Sequence, residues 1–263
     1  MTPSEASGVR YVRLIRAPNP GPMTLDGTNT WVIADQDEGA LVVDPGPAIG
    51  GHLEAILAAC APRLLTIVLT HRHLDHSEGA AMLAERAGCS VRSADPQFRV
   101  GPDGLDGGEL LRVGGLRLEV IETPGHTSDS RSLLLSGPDG VSRLITGDMV
   151  LGRGTTVITY PDGDLAAYFE SLDLLDRLVR TRNVAELLPG HGPIVTDPLA
   201  WLSFYRRHRH ERLDQIRAAL AAGDRSVGEL VARVYAEVDR SVWPAAEQSV
   251  RAQLVYLRQL DER

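Results

Sequence analysis

Three histidines and an aspartate fall within six residues, His71-Arg72-His73-Leu74-Asp75-His76. Imidazole nitrogen and carboxylate oxygen together suit zinc or a similar divalent ion, and manganese or iron also takes sites of this kind. More such side chains recur in short glycine-bearing segments: Gly125-His126-Thr127, Gly147-Asp148 and Pro189-Gly190-His191-Gly192. Five of the eight histidines lie in these segments, a concentration that packing does not explain. The set predicts a metal-dependent hydrolase, in which zinc can lower the pKa of a bound water to about 7 and the resulting hydroxide attacks a carbonyl or phosphorus. The metals would also neutralise the oxyanion that develops. Asp75 can both ligate and orient the attacking hydroxide. Asp44, before Pro45-Gly46, reads either as a carboxylate steadying a ligand histidine or as a turn-forming aspartate.

These residues need strand ends to bring them together. The apolar, β-branched run 64–70 predicts the buried strand that delivers the histidine loop. Strands are also predicted at 11–16, 30–34, 40–44 and 184–188, and hairpins around Gly114-Gly115 and Gly137-Pro138-Asp139-Gly140. Helices are predicted at 51–60, at 77–88 from Ser77 to Gly88, and at 164–180, with Leu165, Phe169, Leu172, Leu175 and Leu178 on one stripe. After Pro198 the strand pattern stops. Three helices are predicted, at 198–222, 227–238 and 245–260. The chain is therefore read as α/β, with a hydrolase domain over 1–197 and a small helical domain over 198–263.

The apolar fraction is 43% and the net charge −8, ordinary for a globular protein and unlike a basic nucleic-acid binder. Residues 198–263 run against that balance, with 11 Arg and 9 acids. Met1–Gly8 lacks the features of a signal peptide, and no apolar run is long enough to span a bilayer, which predicts a cytoplasmic protein with no membrane contact. Cys60 and Cys89 read as free thiols. His52 reads as a surface or capping residue. In Arg206–Arg212, His208 and His210 read as part of a solvated face or of a phosphate-contacting stripe. Leu254, Tyr256, Leu257 and Leu260 serve either the core or a homodimer contact.

The His-x-His-x-Asp-His motif with its downstream His, Asp and His resembles the metallo-β-lactamase superfamily. That resemblance implies an αββα sandwich holding two Zn²⁺ per chain at one edge. It places one metal on His71, His73 and His126, the second on Asp75, His76 and His191, and Asp148 between them. Seven ligands for two metals leave open positions for water, which speaks for catalysis and against a non-catalytic, nucleic-acid-binding protein with closed structural sites. Best-known metallo-β-lactamases carry Cys where Asp148 stands, so β-lactamase activity is expected to be weak.

The segments Asn19–Thr30, Thr123–Thr127, Gly147-Asp148 with Gly152–Thr156, and Leu188–Pro193 resemble the lactamase-β-like hydrolase subfamily, with a C-terminal winged-helix-like domain. Its animal mitochondrial member is an endoribonuclease on single-stranded RNA, so RNA is one expected substrate. A small ester or thioester, as in the glyoxalase II-type enzymes, is the other. The ribonuclease predicts a groove from the site to the Arg206–Arg212 face, the thioesterase a closed pocket under the C-terminal helices. No β-hairpin wing is expected after the third helix. Arg153, Thr155 and Thr156 either contact a substrate anion or mark a flexible turn.

Overall fold

Strand side chains alternate between two apolar environments, and that alternation dictates the layers. The computed structural model describes residues 10–262; Met1–Gly8, read as lacking a leader, lies outside them. A first sheet holds β1 (Val12–Arg16), β2 (Asn29–Asp35), β3 (Gly39–Val43), β4 (Leu64–Val68) and β5 (Ser90–Arg92) in that order. The second holds β6 (Leu110–Val113), β7 (Leu116–Glu122), β8 (Arg131–Ser136), β9 (Ser142–Gly147) and β10 (Val184–Pro189). Trp31, Ile33, Leu41 and Val43 from one sheet meet Leu118, Leu133, Leu135 and Ile145 from the other.

The intervening residues point outward. Val32, Val42 and Ile67 pack on α1 (Gly50–Ala59) and α3 (Ala80–Ala87) through Leu53, Ile56 and Leu83. Leu134, Leu144 and Leu187 pack on α4 (Leu165–Thr181) through Leu172 and Leu175. The result is the αββα sandwich. Three further helices, α5 (Pro198–Ala221), α6 (Val227–Val234) and α7 (Trp243–Asp261), extend the same outer core through Leu213, Leu230, Val250 and Leu257. None of the described helices is long and apolar enough to cross a membrane.

Strand polarity explains where the site forms. β3 and β4 are parallel, as are β9 and β10, while β7 and β9 each run antiparallel to β8 and so share a direction. The C-terminal ends of β3 and β4 therefore share an edge, as do those of β7, β9 and β10, and each end leads into one of the motif segments.

Three local expectations change. The helix predicted from Ser77 starts earlier, as the single turn α2 (Leu74–Ser77), and is interrupted before α3. Asp75 and His76 are thus held in helical geometry, and Ser77 caps nothing downstream but donates to the Arg72 carbonyl. The short strand β5 follows Gly88 and is absent from the sequence reading. The middle C-terminal helix ends at Val234, four residues early. Cys60 and Cys89 are both free thiols.

Candidate metal centre

Nitrogens with one satisfied side and one bare side build this site. His126 Nδ1 lies 2.6 Å from the Val157 carbonyl, His191 Nδ1 3.3 Å from the Gly27 carbonyl, and His76 Nδ1 2.9 Å from Asp44 Oδ2. Each contact assigns the proton to Nδ1 and leaves Nε2 free to accept. For His71 the partner is Thr70 Oγ1 at 3.0 Å, and that hydroxyl donates in turn to Asp44 Oδ2 at 2.6 Å. Asp44 therefore orients His76 directly and His71 through Thr70. It is 1% exposed, accepts the Thr70 amide as well, and sits at φ 53°, a conformation Asp tolerates better than most residues. Of the two readings of Asp44, these hydrogen bonds favour the one in which its carboxylate steadies His76.

The bare nitrogens converge. His71 Nε2 and His126 Nε2 lie 3.0 and 3.1 Å from His73 Nδ1, and His76 Nε2 lies 3.2 Å from His191 Nε2. Donor atoms on a tetrahedral zinc with bonds of about 2.05 Å stand about 3.3 Å apart, so the spacing fits. Three sets each have ligand atoms within 4.8 Å of one another: His71, His73 and His126; Asp75, His76 and His191; and His71, His76 and Asp148. Asp148 lies between the outer two. Its Oδ1 is 3.4 Å from His76 Nε2 and 3.5 Å from His191 Nε2, its Oδ2 3.8 Å from His126 Nε2. The buried Oδ1 has no hydrogen-bond partner, as expected of a carboxylate shaped for a cation.

The two halves differ electrostatically. Burial holds His71 well below its ordinary range, His126 down to about 4, and His73 lower as well. Burial pulls the same way on His76, but Asp75, Asp148 and Asp44 outweigh it and raise the ring well above its ordinary value. His191 is likewise raised, against burial, by Asp148 and Asp75. Reciprocally, Asp148 and Asp75 resist the upward push of burial and stay low beside His191 and His76.

Much of the scaffold around the ligands is not in the motifs. Asn29 Nδ2 donates to the carbonyls of Pro189 and Gly192 at 3.0 and 2.8 Å, and Trp31 Nε1 to that of Pro189 at 3.1 Å, clamping the His191 loop to the opposite sheet. Gly190 must be glycine: a Cβ there would stand 2.6 Å from Asp148 Oδ1 and 2.7 Å from His76 Cε1. The segment after Asp148 hangs on the helices. Tyr168 Oη donates to the Met149 carbonyl, Trp201 Nε1 to the Leu151 carbonyl, each at 2.7 Å, and Tyr205 Oη accepts the Leu151 amide at 2.7 Å. His52, read as a surface residue, is instead buried, its Nε2 3.1 Å from Thr30 Oγ1.

From this centre a cavity of about 270 Å³ runs under the C-terminal helices. Met23, Leu25, Val238, Val242 and Ala246 give it apolar walls, and His126, Asp148, Arg153, Thr155 and Thr156 also line it. Arg153 pairs with Asp26 at 3.0 Å, while buried Thr156 places Oγ1 3.2 Å from His126 Nδ1. The Arg206–Arg212 run does not form one solvated face. Arg206 pairs with Asp173, Arg207 and His210 are exposed, and His208, Arg209 and Arg212 line the cavity. The spacing Leu202, Tyr205, Arg209, Leu213, Ile216 marks Arg209 as an inward position, a signal present in the sequence.

An αββα sandwich with His and Asp side chains converging at the strand ends defines a metallohydrolase class, and residues 23–191 match the metallo-β-lactamase superfamily: the chain belongs to it. Residues 226–261 match the β-lactamase-associated winged helix domain, although among the described residues α5 to α7 carry no wing hairpin. A β-lactamase-like protein 2 homologue of Drosophila melanogaster is 30% identical over 260 residues, covering 90% of this chain and 84% of its own. An atrochrysone carboxyl ACP thioesterase of Aspergillus fumigatus is 33% identical over 194 residues, 71% of this chain and 57% of its own. A metallo-β-lactamase family protein of Thermus thermophilus shares the fold, with a TM-score of 0.80, 23% identity and coverage of 97% of this chain and 95% of that one. The chain is thus a metallo-β-lactamase-fold hydrolase.

Proposed function

We propose that the protein is a dinuclear-zinc hydrolase acting on a small ester or thioester. The observation that carries the reading is the largely apolar cavity that reaches His126 and Asp148 on one side and α5 and α7 on the other. A chamber of this size accepts an acyl group more readily than a polynucleotide strand, although its α5 wall carries Arg209 and Arg212. That relatives include a named thioesterase agrees with it.

In this reading His71, His73 and His126 would hold one ion and Asp75, His76 and His191 the other, with Asp148 available to either. Ions bound there supply Lewis acidity and an acidified water. The chain's own contribution is orientation. Asp44 fixes the tautomers of His76 and His71, and the α4 and α5 tyrosines set the Asp148 segment. Asp75, part-exposed at the open side, is placed to direct the attacking group at the substrate.

The test is turnover by zinc-loaded protein of an acyl thioester, a cephalosporin and a short single-stranded RNA, each beside Asp148→Ala. Thioester hydrolysis lost in the variant is expected. RNA cleavage without thioester turnover would replace this reading with the ribonuclease one.

A further inference from the structure

The wall of the cavity contributed by α5 carries two guanidinium groups and an imidazole, each with an unpartnered nitrogen. Arg209 is 2% exposed. One nitrogen donates to the Thr156 carbonyl at 2.6 Å, and the plane lies over the Tyr168 ring at 4.8 Å. Arg212 donates to the Val234 carbonyl at 2.7 Å and to Gln215 Oε1 at 2.8 Å, its plane 4.7 Å from the Tyr235 ring. Nε of Arg209, Nε of Arg212 and Nδ1 of His208 are all buried without a hydrogen-bond partner. Among the described residues neither arginine is ion-paired with a carboxylate, although the chain is acidic overall and the buried or half-buried arginines at 72, 92, 131, 143 and 206 are; half-buried Arg99 donates instead to the Ser93 and Ala94 carbonyls.

A buried guanidinium without a counter-charge is expensive, and unsatisfied donors in the same wall add to the cost. Stacking on tyrosine fixes the planes but neutralises nothing. What completes such a wall is a planar or tetrahedral oxyanion, whose lone pairs match guanidinium N–H groups. We infer that Arg209, Arg212 and His208 bind an oxyanion, carboxylate or phosphate, carried by the non-reacting end of the substrate while its ester or thioester lies at the metal centre. The cavity would thus hold a bifunctional molecule, cleaved at one end and gripped at the other. The inference rests on the hydrolase reading for the position of the scissile bond, but the anion site stands on its own geometry.

Two thioesters of N-acetylcysteamine separate the cases, succinyl and butyryl, alike in chain length and differing in a terminal carboxylate. The zinc-loaded protein should prefer succinyl in kcat/KM, and Arg212→Gln should cut the preference about tenfold or more, the value of a hydrogen bond to a charged group. Arg209→Gln should act the same way if it folds, and Arg207→Gln on the exposed side should leave the ratio alone. An equal rate on both substrates, or a ratio untouched by Arg212→Gln, overturns the inference for a carboxylate. A calorimetric arm covers phosphate and does not depend on turnover. Succinate and inorganic phosphate are each titrated into wild type and Arg212→Gln; weakened binding of either supports the site and identifies its anion. Unchanged binding of both, with an unchanged ratio, ends the proposal. If no thioester turns over but an anion binds through Arg212, only the hydrolase reading has failed.

Discussion

The ligand cluster built on the loop His71–His76, through His126 and Asp148, and the helix α5, through His208, Arg209 and Arg212, border one cavity with opposite charge balances. Around the loop, imidazoles are surrounded by Asp44, Asp75 and Asp148, and the surplus of carboxylate favours a cation. Along the helix, Arg209 and Arg212 are surrounded by tyrosine rings and carbonyls, and the surplus of N–H donors favours an anion. On the proposed reading, one wall polarises a substrate and the other holds it. The two walls are also mechanically joined, because α5 grips the segment that follows Asp148 through Trp201 and Tyr205.

The hardest way to break the loop side is Asp148→Ala. Removing the carboxylate that lies between the two ligand sets should lower hydrolysis on the order of 10³-fold, since metal chemistry is worth several kcal/mol of barrier. Zinc content by elemental analysis should fall with it; full activity at reduced zinc content would show that one ion suffices. Asp44→Asn comes next. An amide cannot accept from Thr70 and His76 as a carboxylate does, so zinc affinity in a chelator competition should drop about 10–100-fold. An unchanged affinity would reduce Asp44 to a turn former.

The two sides also differ in how plainly the residues declare themselves. Ligands at strand ends sit in contiguous, rarely accidental spacings, and strands such as β7 announce their buried face by alternation. The helix side depends on which surface α5 turns toward the rest of the chain, which a polar run of arginines and histidines conceals. Its clue is the apolar stripe through Leu202, Tyr205, Leu213 and Ile216, in which Arg209 occupies a core position. His52 misled for the same reason: a lone polar residue at a helix start gives no sign that Thr30 waits across the sheet. The α2 turn is hidden in the sequence because His71–His76 has the composition of a loop, although the backbone is helical from Leu74.

The mechanical link between the walls is tested by Tyr205→Phe. Tyr205 is fully buried, and its hydroxyl is the partner of the Leu151 amide. Deleting it strands a buried donor, which costs about 1–3 kcal/mol in urea unfolding. If the walls are coupled, the thioester rate falls as well, since the Asp148 segment loses a fixing point. A loss of stability with no change in rate would mean that Tyr168 and Trp201 suffice to position that segment.

The smallest effect expected is in the acid limb of stability. His208 is driven down to about 4 by burial and by the neighbouring Arg209 and Arg212 charges. An unfolded histidine protonates near 6.5, so between about 6.5 and 4 the unfolded chain binds a proton that folded His208 refuses. Stability from this group is therefore complete above that window and declines as pH falls through it. His208→Gln keeps a polar side chain but removes the proton uptake. The difference in unfolding free energy between variant and wild type should move in favour of the variant as pH drops from about 7 to about 4. The other buried histidines are common to both proteins and cancel in the difference. Adding an oxyanion that binds the arginines should flatten the wild-type limb, because a negative charge beside His208 raises its pKa toward the ordinary value. A limb insensitive to both the substitution and the anion would mean that the α5 wall is not the cationic surface its unpaired arginines imply.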